Sequence, residues 1–276
     1  MTAAVIDHVW MAGFGQMGQA LYHGWTTARL PLTHITLIDP AAQKTIDLRA
    51  SDTLSADIPN TQTKPDILVF AIKPQMAVSL IPLYRDVIRP DTLIISIMAG
   101  VTVETICDLL GHVAQPVIRT MPNTPAMIGQ GMSVSVASTH VTEQQRAVAD
   151  QLWQAVGQSA WVDHEDAMHA VTALSGSGPA YVFALIETMA AAGERAGLSA
   201  ELSARLARQT VIGSAALAAQ KQDISPEQLR HNVTSPGGTT AVGLDVLLRA
   251  EQGLTDLMKQ TIAAAAQRSR ELGKAD

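Results

Sequence analysis

A chain of 276 residues has room for two domains of ordinary size, and 47% hydrophobic with 16% charged residues describes a globular protein with ample core, not a disordered one. The formal net charge of −6 argues against nucleic acid or an anionic membrane as the main partner, and no apolar run of about 20 residues is present to span a bilayer. The single Cys107 excludes an internal disulfide, and the eight histidines are scattered, so no metal site is expected.

Val5–Ala12 reads as a first β-strand. It ends in Gly13-Phe14-Gly15-Gln16-Met17-Gly18, and a helix over Met17–Leu30 should follow until Pro31 stops it. This is G-x-G-x-x-G at a strand-to-helix turn. Gly13 allows the tight turn, Gly15 lets the backbone approach a pyrophosphate, and Gly18 lets helix and strand pack closely. The helix start adds unpaired N–H groups and a positive dipole end for that pyrophosphate. Glycine triplets also occur in ordinary turns, so context has to carry the reading. His34–Asp39 supplies it: a second strand ending in an acid about 20 residues past Gly18, where a dinucleotide-binding βαβ unit holds the ribose diol.

A short helix is expected over Ala41–Ala50. Ile67–Ile72 is a continuous apolar run, as a strand buried on both faces should be, and Lys73-Pro74 leads into a helix over Gln75–Arg85. Leu93–Ala99 repeats the pattern, ends at Gly100, and precedes a helix over Val103–Leu110. Pro116–Met121 and Met132–Val136 read as strands around the loop Pro122–Gly131. A helix over Glu143–Val156 and a strand over Ser159–Val162 complete an α/β alternation. In open α/β sheets, ligands lie beyond the carboxyl ends of the strands. That places Gly13–Gly18, Asp39-Pro40, Ala71-Ile72-Lys73-Pro74, Met98-Ala99-Gly100 and Met121-Pro122-Asn123 along one edge. Lys73 is either a phosphate or ribose contact or a solvated lysine.

Beyond about Glu165 no strand is convincing. Pro179–Ala196, Ala200–Gln220, Pro226–His231, Thr240–Ala250 and Thr255–Leu272 are alanine-rich, with Leu, Val, Ile and Met at helical spacing. The expected organisation is α/β: a Rossmann dinucleotide domain over 1–163, then an all-helical domain over 164–276. Two loops in the second half are unusual for connectors. Leu174–Pro179 breaks one helix and opens another, with Pro179 suited to a first helical position. Asn232-Val233-Thr234-Ser235-Pro236-Gly237-Gly238-Thr239-Thr240 precedes a helix, and its two glycines and flanking hydroxyls suit a nest of N–H groups that receives a carboxylate. A capped helix start is the plain alternative.

The helical half holds Lys221, Lys259 and Lys274 as its only lysines, and Pro179–Ala196 has none, where a β-hydroxyacid dehydrogenase would carry its catalytic lysine. His164, His169 and His231 suit surface or core roles better than that of a base. Reducing a C=N bond asks for less, because a hydroxyl, water or the protonated substrate can supply the one proton needed.

Gly13–Gly18, Ala71–Pro74, Met121–Pro125, Thr172–Tyr181 and Val233–Thr240 together resemble pyrroline-5-carboxylate reductase, from Val9 to about Gly273. The pairing of Ser175–Tyr181 with Ser235–Thr240 is the specific part. The resemblance implies reduction of 1-pyrroline-5-carboxylate to L-proline by NAD(P)H, the last step of proline biosynthesis. It also implies a homodimer with interleaved helices, and larger rings of dimers. Carried over by position, Ser235, Gly238 and Thr239 hold the substrate carboxylate, and Thr240 faces the ring nitrogen as proton donor or orienting group. Gly13, Phe14, Gly15, Gln16, Met17, Gly18, Ala71, Ile72, Lys73, Pro74 and Ala99 line the cofactor. Glu165, Thr172 and Asn232 match family positions near the cofactor or substrate, a role the partner subunit can share.

One departure concerns cofactor choice. The family more often has Asn, Ser or Thr with a following Arg or Ser at the end of the second strand, which suits the 2′-phosphate of NADPH. Here Asp39-Pro40 stands instead. A carboxylate accepts hydrogen bonds from a free diol but repels a phosphate, by on the order of 4 kcal/mol per charge at about 4 Å and an effective dielectric near 20. NADH is therefore the expected cofactor, unless Asp39 points to solvent. The other readings left open are another small cyclic imine or β-hydroxyacid oxidoreductase, or a non-catalytic nucleotide-binding protein. Met1–His8 has neither the basic start nor the apolar core of a secretory signal, and a reducing cytoplasm is the expected setting.

Overall fold

The structure is a computed structural model that describes residues 6–41 and 47–273. The chain divides between Ser177 and Gly178, and its end, from Ala265 on, returns to the first unit, leaving Gly178–Ala264 as the second.

The first unit is built on one eight-stranded sheet in the order β3-β2-β1-β4-β5-β6-β7-β8. The strands are β1 (Ile6–Ala12), β2 (Leu32–Ile38), β3 (Thr53–Ser55), β4 (Ile67–Phe70), β5 (Leu93–Ser96), β6 (Val117–Met121), β7 (Gly131–Ala137) and β8 (Gly157–Trp161). All neighbours are parallel except β6 and β7. That exception follows from the short Pro122–Gln130 connection, since a parallel return needs a crossover of a dozen residues or more. Chain order reverses between β1 and β4, and the switch point lies at their carboxyl ends.

Central strands are buried on both faces, which is why they read as unbroken apolar runs. One face packs Val9, Met11 and Val69 with Trp25 and Leu21 of helix α1 (Gln16–Thr27) and Trp153 of α4 (Glu143–Gln154). The other packs Trp10, Leu68 and Ile94 against Tyr84 and against Ile106 of α3 (Val103–Leu110). Trp25 donates its indole N–H to the Leu152 carbonyl at 2.9 Å, so this large buried ring leaves no polar atom unpaired.

Several expectations differ from the structure. The helix expected over Gln75–Arg85 is a broken one: a 3-10 turn at Pro74–Met76, a single α turn α2 (Ala77–Leu80), and a second 3-10 stretch at Ile81–Val87. Pro82 explains the break, since it has no N–H to give an α-helical bond. The helix expected over Ala41–Ala50 lies largely outside the described residues, and Asp47–Arg49 is not helical. Thr53–Ser55, the 3-10 turn Thr124–Ile128 and the short α5 (Ala167–Val171) are additional. After α5 the chain winds into a π-helical turn at Thr172–Gly176, in which Ser177 donates its N–H to the Thr172 carbonyl at 2.8 Å. The sheet ends at Trp161, next to the 163/164 division read from the sequence, while α5 and the π turn stay with the sheet.

The second unit pairs α6 (Gly178–Arg195) with α7 (Ala200–Gln220), followed by α8 (Pro226–Asn232), α9 (Thr239–Leu247) and most of α10 (Leu254–Leu272). Close packing of α6 on α7 rests on small residues, with Gly193 against Ser203. Although α6 is largely apolar, none of its residues is buried within the single chain.

Candidate functional site

At the switch point the glycine turn is built by backbone constraints. Gly13 has φ of +92°, and a Cβ there would lie 2.5 Å from the Ala71 carbonyl oxygen, so only glycine fits between β1 and the end of β4. Gly15 is different. Its φ of −69° suits any residue, and nothing lies within 4 Å of where a Cβ would stand. It is the N-cap of α1 and has no side chain to cap the helix, so the first-turn amides of Gln16, Met17 and Gly18 are left open. An exposed helix N-terminus with open space in front is the cradle a pyrophosphate requires. Phe14 turns its ring inward against Tyr22, centroids 5.8 Å apart, and offers the site only its backbone.

Asp39 closes the other side. Its Oδ2 accepts the Phe14 amide at 2.7 Å and its Oδ1 accepts the Ala41 amide at 2.8 Å, so the half-buried carboxylate is turned toward the glycine turn. The Asp39 amide donates to the Ser55 carbonyl at 3.0 Å, which fixes the end of β2 on β3. Both oxygens retain lone pairs for the donors of a ribose diol. A cavity of about 530 Å³ opens beside them, walled by Gly13, Gly15, Asp39, Ile72, Lys73 and Tyr84 among others. Lys73 is exposed, at the start of the Pro74 turn. The donors, the carboxylate and the volume fit a dinucleotide bound in an extended form across the carboxyl edge.

Further along this edge, Ala99 is half-buried in the loop that leaves β5. Glu165 accepts two hydrogen bonds on one oxygen, from Arg119 Nη1 at 2.8 Å and from the Val103 amide at 3.0 Å. Thr172 gives its hydroxyl proton to the Met168 carbonyl at 2.8 Å. Asn123 spans two segments: its Oδ1 accepts the Met132 amide at 2.9 Å and its Nδ2 donates to the Ser175 carbonyl at 3.2 Å, which ties the β6 exit to the π turn.

Asn232, Ser235, Gly238, Thr239 and Thr240 lie in the second unit. Gly237 has φ of +69°, and the Gly238 amide donates to the Ser235 carbonyl at 3.0 Å, forming a tight turn into α9. Gly238 is the N-cap and carries no capping side chain, so the amides opening α9 are available, with the Ser235, Thr239 and Thr240 residues exposed around them. Asn232 accepts a hydrogen bond from Gln228 at 2.9 Å at the end of α8.

Two family models match the two halves. Residues 165–272 match "Pyrroline-5-carboxylate reductase dimerisation", and residues 9–100 match "NADP oxidoreductase coenzyme F420-dependent". The pyrroline-5-carboxylate reductase of Pseudomonas aeruginosa is 37% identical over 264 residues, covering 95% of either chain. That of Synechocystis is 40% identical over 84% of this chain and 83% of its own. The chain belongs to the pyrroline-5-carboxylate reductase family. The solved reductase from Coxiella burnetii superposes with a TM-score of 0.88 at 31% identity, covering 99% of this chain and 100% of that one. The Plasmodium falciparum enzyme, solved with NADP bound, gives 0.79 at 29% identity over 98% of both.

This reductase reduces 1-pyrroline-5-carboxylate to L-proline with NAD(P)H, the last step of proline biosynthesis, on a Rossmann-type sheet followed by the family's helical domain. Sequence reasoning did not find Arg119 or the bracing role of Asn123. A charged residue inside the apolar run Pro116–Met121 was the available signal for the first.

Proposed function

We propose that this pyrroline-5-carboxylate reductase prefers NADH, acts in the cytoplasm as a homodimer that can assemble into rings, and binds its substrate at the start of α9. The preference rests on the Asp39 carboxylate, which the Phe14 and Ala41 amides hold beside the glycine turn. There it accepts hydrogen bonds from a 2′,3′-diol and repels a 2′-phosphate.

Gly13–Gly18 and Ala71–Pro74 hold the pyrophosphate side of the dinucleotide, and Ala99 holds the nicotinamide side. When bound, the reduced nicotinamide supplies the hydride that the imine carbon accepts. The open amide of Thr239, with the Ser235 hydroxyl, clasps the substrate carboxylate at the positive end of α9, whereas the Gly238 amide expected to join it is given to the Ser235 carbonyl and shapes the turn instead. Thr240, one residue into the helix, orients the ring nitrogen and delivers or relays its proton. By their family positions, Thr172, Glu165 and Asn232 serve the cofactor or substrate, a role the partner subunit can share.

The homodimer is supported by the match of residues 165–272 to the dimerisation model and by the bare apolar surface of α6, where Phe183 is 64% exposed. Among the described residues no helix is long and apolar enough to cross a membrane, which is compatible with a cytoplasmic setting. Steady-state kinetics with both cofactors at saturating imine test the preference. A kcat/KM for NADH well above that for NADPH is expected, and equality or the reverse order removes the proposal.

A further inference from the structure

Arg119 lies in the middle of β6, opposite Ser96 of β5 and Val136 of β7, and is only 2% exposed. Among the described residues its guanidinium has one protein acceptor, Oε1 of Glu165 at 2.8 Å. That oxygen also accepts the amide of Val103, the first residue of α3, at 3.0 Å. One carboxylate oxygen therefore joins β6, the start of α3 and the segment entering α5.

Val103 closes the loop Ile97–Thr102 that leaves β5. At the other end of this loop the Ile97 amide donates to the Phe70 carbonyl at 3.1 Å, and the Met98 amide to the Ser96 hydroxyl at 3.3 Å. In the middle, Gly100 takes a φ of +81° with its back to Gly273. The loop is pinned at both ends, and Glu165 is the pin on the α3 side.

Removing a guanidinium from water is costly, and an apolar side chain of similar volume serves packing at least as well. What the charge adds is the orientation of a carboxylate. His169, one turn beyond Glu165, does not compete for it: burial first, and then the Arg119 charge, hold the imidazole below its ordinary pKa, and Nδ1 lies 3.0 Å from the Ser269 hydroxyl.

We propose that Arg119 is a positioning residue for hydride transfer: through Glu165 it fixes the Ile97–Thr102 loop, and with it Ala99, against which the nicotinamide lies. The proposal rests on the reading of Ala99 as a nicotinamide contact. Its consequence is selective, because the adenosine half of the cofactor is held by the glycine turn and Asp39, well apart from this clamp in the sheet order. Loss of Arg119 should spoil the approach of the ring to the imine and leave cofactor affinity nearly intact.

The test uses the full chain with Arg119→Met, Arg119→Lys, Glu165→Gln and the double variant Arg119→Met/Glu165→Gln. The readouts are kcat, the Kd for NADH from nicotinamide fluorescence, and the isotope effect on kcat with NADH deuterated at the transferred position. Arg119→Met is expected to lower kcat by about tenfold to a hundredfold and to raise the isotope effect, with the Kd moving less than about threefold. Arg119→Lys should recover much of the rate, and adding Glu165→Gln to Arg119→Met should cost nothing further. An unchanged kcat in Arg119→Met overturns the proposal. So does a parallel loss of kcat, NADH affinity and melting temperature that lysine does not rescue, since that describes a structural role alone. Ala99→Leu separates the two layers. If it is silent, the placement of the ring falls and the clamp falls with it; if it blocks turnover while Arg119→Met does not, the clamp alone is rejected.

Discussion

The Phe14 amide donates to Asp39 Oδ2 at 2.7 Å, so the glycine turn after β1 and the acid at the end of β2 form a single element. Asp39 thus holds the turn in shape, and in the proposed binding mode it also faces the ribose. Replacing it separates the two tasks. Asp39→Asn keeps an acceptor for Phe14 and removes the charge, and should raise kcat/KM for NADPH on the order of tenfold to a hundredfold relative to NADH. Asp39→Ala removes the acceptor as well, and should weaken both cofactors. Kinetics of the two variants with NADH and NADPH check this; identical effects on both cofactors in Asp39→Asn would show that the charge does not discriminate.

Gly13 and Gly15 are two residues apart and should respond oppositely to alanine. At Gly13 the added methyl meets the Ala71 carbonyl and a positive φ, so Gly13→Ala should lose about 1–3 kcal/mol of stability. At Gly15 the methyl enters open space with an ordinary φ, so the fold should be unaffected while the methyl blocks the approach of the pyrophosphate. Gly15→Ala is expected to melt like wild type and bind NADH at least about tenfold more weakly. Thermal unfolding and fluorescence titration of both variants settle the contrast.

The parts of the fold that were legible in the sequence are those fixed by local chemistry. The turn Gly13–Gly18 and the acid Asp39 follow from spacing, and β1, β4 and β5 from unbroken apolar runs. The parts that were not legible depend on distant residues. Thr53–Ser55 is too short for a period to show and exists because β2 offers it an edge. The π turn at Thr172–Gly176 reads locally as a Gly-Ser break, yet Ala173 is fully buried and Gly176 packs on Met121, which keeps the chain winding. The bond between Arg119 and Glu165 joins residues 46 apart in sequence, and no local pattern encodes it. Of the candidate sites, the turn geometry at Gly13–Gly18 was legible from spacing and the uncapped α9 start from its density of glycine and hydroxyls.

Behind β2, the buried Asp52 carboxylate accepts from Arg49 Nε at 2.7 Å, from the Tyr22 hydroxyl at 2.9 Å and from the Ile35 amide at 3.0 Å. Burial pushes its pKa up, but the Arg49 guanidinium, the Ile35 amide and the Tyr22 hydroxyl outweigh that, and the net shift is downward. A lowered pKa in the folded state stabilises above the unfolded carboxyl value of about 3.9, and the contribution is lost as pH falls through the folded value. Asp52→Asn should therefore cost about 1.5–3 kcal/mol at neutral pH by removing the charge that the Arg49 guanidinium, the Tyr22 hydroxyl and the Ile35 amide bond to. The difference from wild type should hold from about pH 5 upward and shrink only below about pH 4. Urea unfolding of both proteins across this range measures it; a gap that is constant down to pH 3 would mean the carboxylate is not the group responsible.

At the start of α9, the backbone and the hydroxyls should separate kinetically. A side chain at Gly238 would press on the Ser235 carbonyl, which lies 3.1 Å from the Cβ position, so Gly238→Val should raise the KM for the imine and leave NADH binding alone. Thr240→Ala removes the group proposed to face the ring nitrogen and should lower kcat on the order of 10²-fold with little change in NADH affinity. Thr240→Ser should retain most of the rate. Loss of NADH binding with normal turnover in Thr240→Ala would contradict the role.

Phe183 on α6 and Leu206 and Ile212 on α7 are 64%, 48% and 52% exposed in the single chain, an arrangement that water does not favour for helices this apolar. If a second copy covers them, the change Phe183→Glu acts twice across a two-fold interface. Each phenyl group left out of the interface costs roughly 2 kcal/mol, so the pair weakens the dimer by about 4 kcal/mol, or about a thousandfold in dissociation constant. Sedimentation velocity at micromolar protein should show wild type as a dimer or a larger assembly and Phe183→Glu as a monomer. The first unit buries its own core and should keep its fold in the variant, so its NADH affinity should persist. A Phe183→Glu protein that sediments like wild type would place the contact between copies elsewhere than on α6.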